Sequence, residues 1–173
     1  MQAAAFVFRS ARILLLALAF CLSLGAAAQA GCSDAAAPEV NWRRCLQDGR
    51  VLAGVDLSRG QLREVSLTRA TLDGAIFTGA EAYGAKFFKA RMQGAKLDAA
   101  RLANTDFTEA DLTGADLSNS DLRQARFVGA RLRGANLTGA ELRSTEFRDA
   151  DLSGATWTDG TKICAEGSIG VCE

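Results

Sequence analysis

The 173-residue sequence contains no histidine and only one proline, Pro38. Histidine is the most common general base and metal ligand, so its absence removes the residue on which most acid–base and metal sites depend. The glycines recur at regular intervals and do not form a phosphate-binding loop between a strand and a helix. No proline-rich or glycine-rich linker divides the chain into two domains. We therefore expect one domain that is not an enzyme, with no catalytic site, cofactor or metal.

Residues 1–30 have the features of a secretory signal peptide. Arg9 and Arg12 precede the apolar stretch 13–24, and the small residues of 28–30 offer a cleavage site. The apolar stretch is shorter than the roughly 20 residues that a membrane span needs, although a retained anchor is the alternative. We expect a periplasmic or extracellular protein with no membrane span after cleavage. Residues 31–173 would carry 18 basic and 20 acidic side chains.

A five-residue period dominates the rest of the chain. Every fifth residue from Leu52 to Trp157 is large and apolar except Ala82, through 22 pentads without an insertion. The residue two positions before each of these centres is small, most often alanine. A helix turns by about 100° per residue and a strand alternates its faces, so neither would bring these centres to one side. The pattern instead predicts a chain that turns a corner every five residues.

A second period of 20 residues gives the number of corners. Glycines recur at this interval from Gly74 to Gly154, and so do the four phenylalanines Phe87, Phe107, Phe127 and Phe147. Twenty residues are four pentads, which predicts a four-sided coil with a glycine at one corner, where a positive φ is tolerated. The phenylalanines would stack as an internal ladder. At the β spacing of about 4.8 Å, about 5.5 coils would form a column roughly 26 Å long.

The units 110–114, 115–119 and 135–139 read ADLTG, ADLSN and ANLTG, and they resemble the pentapeptide-repeat family, whose motif is Ala-(Asp/Asn)-Leu-x-x. The resemblance to an exported bacterial member implies an all-β fold, a right-handed quadrilateral β-helix with its small and central residues facing inward. It divides the chain into the signal peptide, an N-terminal cap (31–50), the solenoid (51–159) and a C-terminal cap (160–173). The first coil departs from the motif at its small positions: Val55, Gly60 and Val65.

Five cysteines are present, and Cys21 would leave with the signal peptide. Cys32 and Cys45 precede the solenoid, whereas Cys164 and Cys172 follow it. Because a disulfide needs Cα atoms within about 7 Å, only the pairs 32–45 and 164–172 avoid spanning the column. We expect each disulfide to close an end cap, as a repeat array requires for its exposed terminal edges.

A competing interpretation concerns Cys32 alone. Residues 29–32 (QAGC) resemble the cleavage box of bacterial lipoproteins, in which the cysteine becomes lipidated. That box usually has leucine where this chain has Gln29. Lipidation would also leave Cys45 without a partner, so the disulfide is the favoured prediction and an envelope lipoprotein the alternative.

The repeated aspartates suggest acid–base pairs or calcium ligands, and hence a metal-dependent surface binder. A structural explanation is favoured, because they occupy the polar second position of the motif: Asp106, Asp111, Asp116 and Asp121. A more specific candidate is an outward-facing apolar patch around the Ala82 exception, which could bind a partner. It comprises Tyr83, Phe88 and Val128, near Lys86, Lys89 and Arg91.

These features predict a non-enzymatic, exported scaffold or binding module whose partner is a protein or another envelope component. The resemblance implies an alternative, since acidic members of the family mimic DNA and inhibit or protect the topoisomerase gyrase. A DNA mimic needs a continuous negative face. Here charges alternate at intervals of 20 residues, as in Lys86, Asp106, Arg126 and Glu146. We therefore expect structural ladders and no nucleic-acid partner.

Overall fold

The computed structural model describes residues 31–173, so the predicted signal peptide lies outside the described residues. Across 31–173 the backbone forms no α-helix, and hence no helix able to cross a membrane. Its β structure consists of isolated bridges, most of which join residues 20 positions apart in parallel orientation. Twenty such bridges follow in steps of five, from Asn41 with Gln61 to Asn136 with Thr156. The backbone pairing therefore has the four-pentad period of the sequence.

Each pentad is hydrogen-bonded to the next coil and closed by its own turn. In the pentad centred on Leu72, the centre's N–H donates to the carbonyl of Arg91 at 2.6 Å, and the N–H of Gly74 donates to Gln93 at 2.8 Å. The N–H of Ala75 donates back to the carbonyl of Leu72 at 3.0 Å. Because the same bonds recur along the chain, most backbone groups are satisfied without a long strand.

The corner of each pentad lies at the second residue after its centre. At one corner this residue is glycine in every coil, at 20-residue intervals from Gly54 to Gly154. The φ angles of these glycines lie between 62° and 70°. The other corners adopt the same left-handed conformation with many other residue types, including Asn104 at 59° and Lys89 at 56°. Glycine is thus the least strained choice at these corners but not an obligatory one.

The interior is a column of centres and small residues. Its most regular part is the phenylalanine stack, in which successive rings of Phe87, Phe107, Phe127 and Phe147 have centroids 5.1, 4.8 and 5.2 Å apart and planes within 9° of parallel. Trp157 follows Phe147 at 5.8 Å, toward the C-terminal end. One ring per coil therefore fills this side of the core at the spacing of the backbone.

The exception at Ala82 is fully buried and lies between two phenylalanines along the coil. Phe77 and Phe87 are the preceding and following centres, and their rings meet edge to face at a centroid distance of 5.7 Å. The hydroxyl of Thr105, itself at an inward small position, donates to the carbonyl of Ala82 at 3.1 Å. The other centres 20 or 40 residues from Phe77 are leucines: Leu57, Leu97 and Leu117.

The inward pattern extends further toward the N terminus than the leucine spacing indicates. Trp42 and Gln47 occupy the two centre positions before Leu52, and both are buried. The Gln47 amide donates to the carbonyl of Cys32 at 2.7 Å and accepts a hydrogen bond from Arg50 at 2.6 Å. Part of the segment 31–50, which the sequence assigns to a cap, therefore continues the repeat. Its polar centre Gln47 is hydrogen-bonded through both its amide nitrogen and its amide oxygen.

Two disulfides close the ends in the predicted pairing. Cys32 and Cys45 have Cα atoms 5.3 Å apart, and Cys164 and Cys172 have theirs 4.8 Å apart. A cysteine in a disulfide cannot also carry a thioether-linked lipid, so this pairing argues against the lipoprotein alternative. Disulfides of this kind are typical of a non-reducing compartment.

The C-terminal segment reverses direction to cover the last coil. Ile163 pairs with Thr156 and Ile169 with Asp151, both in antiparallel orientation. The backbone N–H of Gly170 also donates to the carbonyl of Ala150 at 2.8 Å. These contacts occupy hydrogen-bonding groups at the terminal edge, which would otherwise be available to another chain.

Candidate functional site

The repeated aspartates have a structural role in the turns. In the pentads the N–H of the residue after the centre makes no backbone–backbone hydrogen bond, and in many of them the side chain before the centre accepts it. At Thr68 and Gln93 an aspartate one coil earlier, Asp48 or Asp73, accepts it instead. Asp111 accepts the N–H of Thr113 at 3.2 Å and the Thr113 hydroxyl at 2.7 Å. The same N–H bond is accepted by seven further side chains: Asn41, Asp56, Asp106, Asp116, Asp121, Asn136 and Asp151. This explains why the motif prefers Asp or Asn before the centre.

Hydrogen bonding in these turns favours the charged carboxylates. A hydrogen bond from the Ser58 side chain is the main cause of the lowered pKa of Asp56. A hydrogen bond from the Ser153 side chain has the same effect on the pKa of Asp151. Partial burial acts to raise the pKa of Asp111, but hydrogen bonds from its neighbours outweigh burial and lower it. Within residues 31–173 no three or more Asp, Glu or Cys side chains are grouped so that they could hold a metal ion. The aspartates are thus engaged in turn formation.

Ion pairs connect successive coils on the surface. Arg91, which the sequence places in a column with Asp111, pairs instead with Asp73 at 2.8 Å. Exposed pairs of this kind contribute about 0–1 kcal/mol each, so they add little to stability. Their effect is to interrupt any continuous field of one sign. Three pairs follow the predicted alternating columns: Arg101–Glu81 at 3.0 Å, Arg126–Glu146 at 3.6 Å and Arg131–Asp111 at 3.7 Å.

One face of the solenoid carries a groove, which we call the Tyr83 groove. Its volume is about 470 Å³. It lies where the outward residues after the centres are Arg63, Tyr83, Ala103, Arg123 and Arg143, each 20 residues from the next. On the other faces this position is often Ser or Thr, used in the turns described above. The groove is lined by Tyr83, Arg101, Ala103, Asn104, Asp121, Arg123, Gln124, Arg143 and Ser144.

Aromatic and small side chains shape the N-terminal part of the groove. The Tyr83 side chain is partly exposed, and the Arg63 guanidinium carbon lies 5.4 Å from the centroid of its ring. Such a cation–π contact holds the ring in one orientation. Ala103 follows Tyr83 one coil later, lines the groove and is 9% exposed. A methyl group therefore interrupts a column of long side chains at this point.

Arginines form the remainder of the groove. Arg123 makes a bidentate contact with Asp121 at 2.8 and 2.7 Å, and this hydrogen bonding raises the pKa of Arg123 and lowers that of Asp121. Arg101 pairs with Glu81 at 3.0 Å. Among the residues that the structure describes, Arg143 forms no ion pair. Three guanidinium groups and the Asp121 carboxylate line the groove, and Glu81 and Glu141 at its edge pair with Arg101 and Arg123. Of the three arginines, Arg143 is the one left to bind a ligand.

The predicted apolar patch is divided between two faces. Tyr83 lines the groove, whereas Phe88 belongs to the next face and is half-buried, with the Lys89 ammonium 5.1 Å from its ring centroid. Val128, two coils beyond Phe88, is also half-buried. The groove arginines were missed by the sequence reasoning. Comparing the residues that follow the centres at 20-residue intervals would have shown this column of arginines. In it, Ala103 is the one small residue and lies between Tyr83 and Arg123.

Family models match the repeat region over two overlapping segments. A model described as "Pentapeptide repeat region" covers residues 80–157, and one described as "Pentapeptide repeats (8 copies)" covers residues 51–87. The chain belongs to the pentapeptide-repeat family. Together the two matches span most of the backbone that shows the 20-residue pairing, so the family assignment and the geometry rest on the same residues.

Solved structures of pentapeptide-repeat proteins resemble this one. A protein from the Arabidopsis thaliana thylakoid lumen is 36% identical, with a TM-score of 0.54 over 61% of this chain and 70% of that one. HetL, a protein involved in heterocyst differentiation regulation from the cyanobacterium Nostoc sp. strain PCC 7120, is 29% identical, with a TM-score of 0.45 over 72% of this chain and 68% of that one. QnrB1, a plasmid-mediated fluoroquinolone resistance protein, is 24% identical, with a TM-score of 0.39 over 69% and 63%. No curated protein sequence matches this pentapeptide-repeat chain.

Proposed function

We propose that this pentapeptide-repeat protein is a non-enzymatic, exported scaffold that binds a protein partner through the face containing the Tyr83 groove. The observation that carries this proposal is the charge arrangement of that face. The arginines Arg63 and Arg143 flank the groove and form no ion pair within residues 31–173, whereas Arg101 and Arg123 are paired. Aromatic and arginine side chains are enriched at protein interfaces, where they supply much of the binding energy.

The proposed scaffold is a right-handed, four-sided solenoid with about 5.5 coils between residues 52 and 157. Its caps lie in 31–50, part of which continues the repeat, and in 160–173. The stacked phenylalanines and the two disulfides support a rigid body of this kind. A rigid surface loses little conformational freedom when it binds, which favours recognition over catalysis as its use.

Export rests on the signal-like residues 1–30 and agrees with the presence of two disulfides. Fractionation of the source cells tests it: we expect the protein in the periplasm or the medium with its N terminus near residue 31. Recovery of the chain in the cytosol with residues 1–30 intact would contradict export.

A pull-down tests the binding function. The purified protein should capture a partner from envelope fractions, and neutralising Arg63 and Arg143 to glutamine should abolish the capture. The matched control neutralises Lys86 and Lys96, two exposed cations on other faces, and should leave the capture unchanged. Equal loss in both double variants would mean that net charge, and not this face, mediates binding.

The topoisomerase alternative predicts a continuous acidic surface. Interleaved ion pairs between coils and the cationic groove count against it. We expect the purified protein neither to bind gyrase nor to protect it from inhibitors. Binding at low salt that disappears when Asp106, Asp111, Asp116 and Asp121 are neutralised would establish the alternative instead.

A further inference from the structure

The outward column of the Tyr83 groove contains a gap at Ala103, which we call the slot. Tyr83 and Arg123 lie two coils apart along one column, with only the methyl group of Ala103 between them. Two coils correspond to roughly 10 Å at the β spacing. Van der Waals contact requires about 3.5–4 Å on each side of an inserted group, so the slot accepts one planar group and not two. The internal phenylalanines stack in the same way, one ring per coil at 4.8–5.2 Å.

The two walls of the slot suit an aromatic ring. Arg63, one coil before Tyr83, covers one face of the tyrosine ring at 5.4 Å from its centroid. Because Ala103 follows one coil after Tyr83, the opposite face of the ring is directed toward the slot. The other wall is the planar guanidinium of Arg123, which is held by two bonds to Asp121 at 2.8 and 2.7 Å. A ring between them would stack on tyrosine on one side and on arginine on the other.

The anion-binding capacity of the groove rests on Arg143. Of the three groove arginines, Arg123 pairs with both Asp121 and Glu141, and Arg101 pairs with Glu81. Arg143 follows Arg123 in the same column and makes no ion pair within residues 31–173. A guanidinium presents paired N–H groups that match the two oxygens of a carboxylate. The groove therefore combines an aromatic slot with one guanidinium that is free to bind a carboxylate.

We propose that the Tyr83 groove binds an aromatic carboxylate, with its ring between Tyr83 and Arg123 and its carboxylate on Arg143. The ligand is either a free aromatic acid or the C-terminal aromatic residue of a polypeptide, since both present the same chemistry. This inference deepens the proposed scaffold function by giving the recognition chemistry of the same face.

Titrations of the purified protein with three probes test the proposal. The probes are phenylacetate, the peptide N-acetyl-Gly-Gly-Phe with a free carboxylate, and the same peptide as its C-terminal amide. We expect saturable shifts of the Tyr83 and Arg123 side-chain NMR signals with at least one of the two acids, and binding at least roughly tenfold weaker for the amide. Binding of phenylacetate alone identifies a free acid as the ligand, whereas preference for the peptide identifies a chain terminus. Equal binding of acid and amide, or no saturation by either acid up to about 10 mM, would overturn the proposal.

Substitutions locate the binding to the slot. Ala103→Arg fills the slot with the side chain found one coil later, and should weaken acid binding by roughly tenfold or more. The matched control is Ala53→Arg, which makes the same change at an exposed position after the centre Leu52 on another face. It should leave binding unchanged. Arg143→Gln should weaken binding of the acid and not of the amide. Equal effects of Ala103→Arg and Ala53→Arg on acid binding would overturn the assignment of the binding site to the slot.

The outcome is separable from that of the scaffold proposal. A partner captured from envelope fractions that is indifferent to Ala103→Arg supports the scaffold and overturns the slot. Binding of an aromatic acid without any captured protein supports the slot and refutes the protein-binding scaffold.

Discussion

The small centre at Ala82 and the large centre at Phe77 should be energetically coupled. Phe77, Ala82 and Phe87 are consecutive centres of one coil, all fully buried, and the two rings meet edge to face at 5.7 Å. We infer that the Phe77 ring occupies the volume that a leucine at position 82 would need. The following coil has leucines at the positions equivalent to 77 and 82, namely Leu97 and Leu102.

Each single change should destabilise the protein for a different reason. Ala82→Leu adds three carbon atoms to a closely packed interior, which costs about 1–3 kcal/mol. Phe77→Leu leaves unfilled space and should cost roughly 1–2 kcal/mol, below the value for complete removal of a ring. The double variant reproduces the leucine pair of the next coil. It should unfold with a free energy within about 1 kcal/mol of the unmodified protein.

The assay is urea unfolding with the disulfides intact, followed by the fluorescence of Trp42 and Trp157. We expect a coupling free energy of about 2 kcal/mol between the two sites. As a control, Ala82→Leu is combined with Phe127→Leu, two coils away, and this pair should be additive within about 0.5 kcal/mol. Additive effects of Ala82→Leu and Phe77→Leu would refute the inference that one ring compensates for the small centre.

Three further predictions concern the caps and turns. Replacing Cys164 and Cys172 by serine should lower the free energy of unfolding by about 2–3 kcal/mol, measured by urea unfolding, because the disulfide restricts the unfolded chain; an unchanged value would show that the cap does not depend on its disulfide. Asp116→Ala should cost about 1 kcal/mol in the same assay, and Asp116→Asn less, because Asn136 makes the same turn bond; equal costs would mean that charge, not hydrogen bonding, matters. Folding lowers the pKa of Asp151 from 3.8, so its charged carboxylate stabilises the folded protein above about pH 4. This stabilisation is lost as the pH falls through the folded-state pKa. A melting temperature that stays constant from pH 5 to pH 2 would contradict this.

Sequence reasoning predicted the features that depend on local repetition. The uninterrupted five-residue spacing from Leu52 to Trp157 indicated the coil, and the 20-residue interval of phenylalanines indicated which residues stack. The disulfide pairing followed once the cysteines were placed at opposite ends of a column. The start of the repeat was placed too late, because Gln47 at a centre position does not read as a core residue. Its burial depends on bonds to Cys32 and Arg50, which are invisible in a hydrophobic pattern.

The sequence by itself determined the period of this solenoid and its inward residues between Leu52 and Trp157, because both are set by exact repetition of pentads. Only the tertiary structure decided which outward side chains act together. Stacking of coils brings residues 20 and 40 positions apart into contact, so Tyr83, Ala103 and Arg123 become neighbours although the chain separates them. The tertiary structure also separates Tyr83 from Phe88, five residues away. A corner between them places their side chains on different faces. Recognition by this protein depends on that lateral arrangement, which is created when the coils stack.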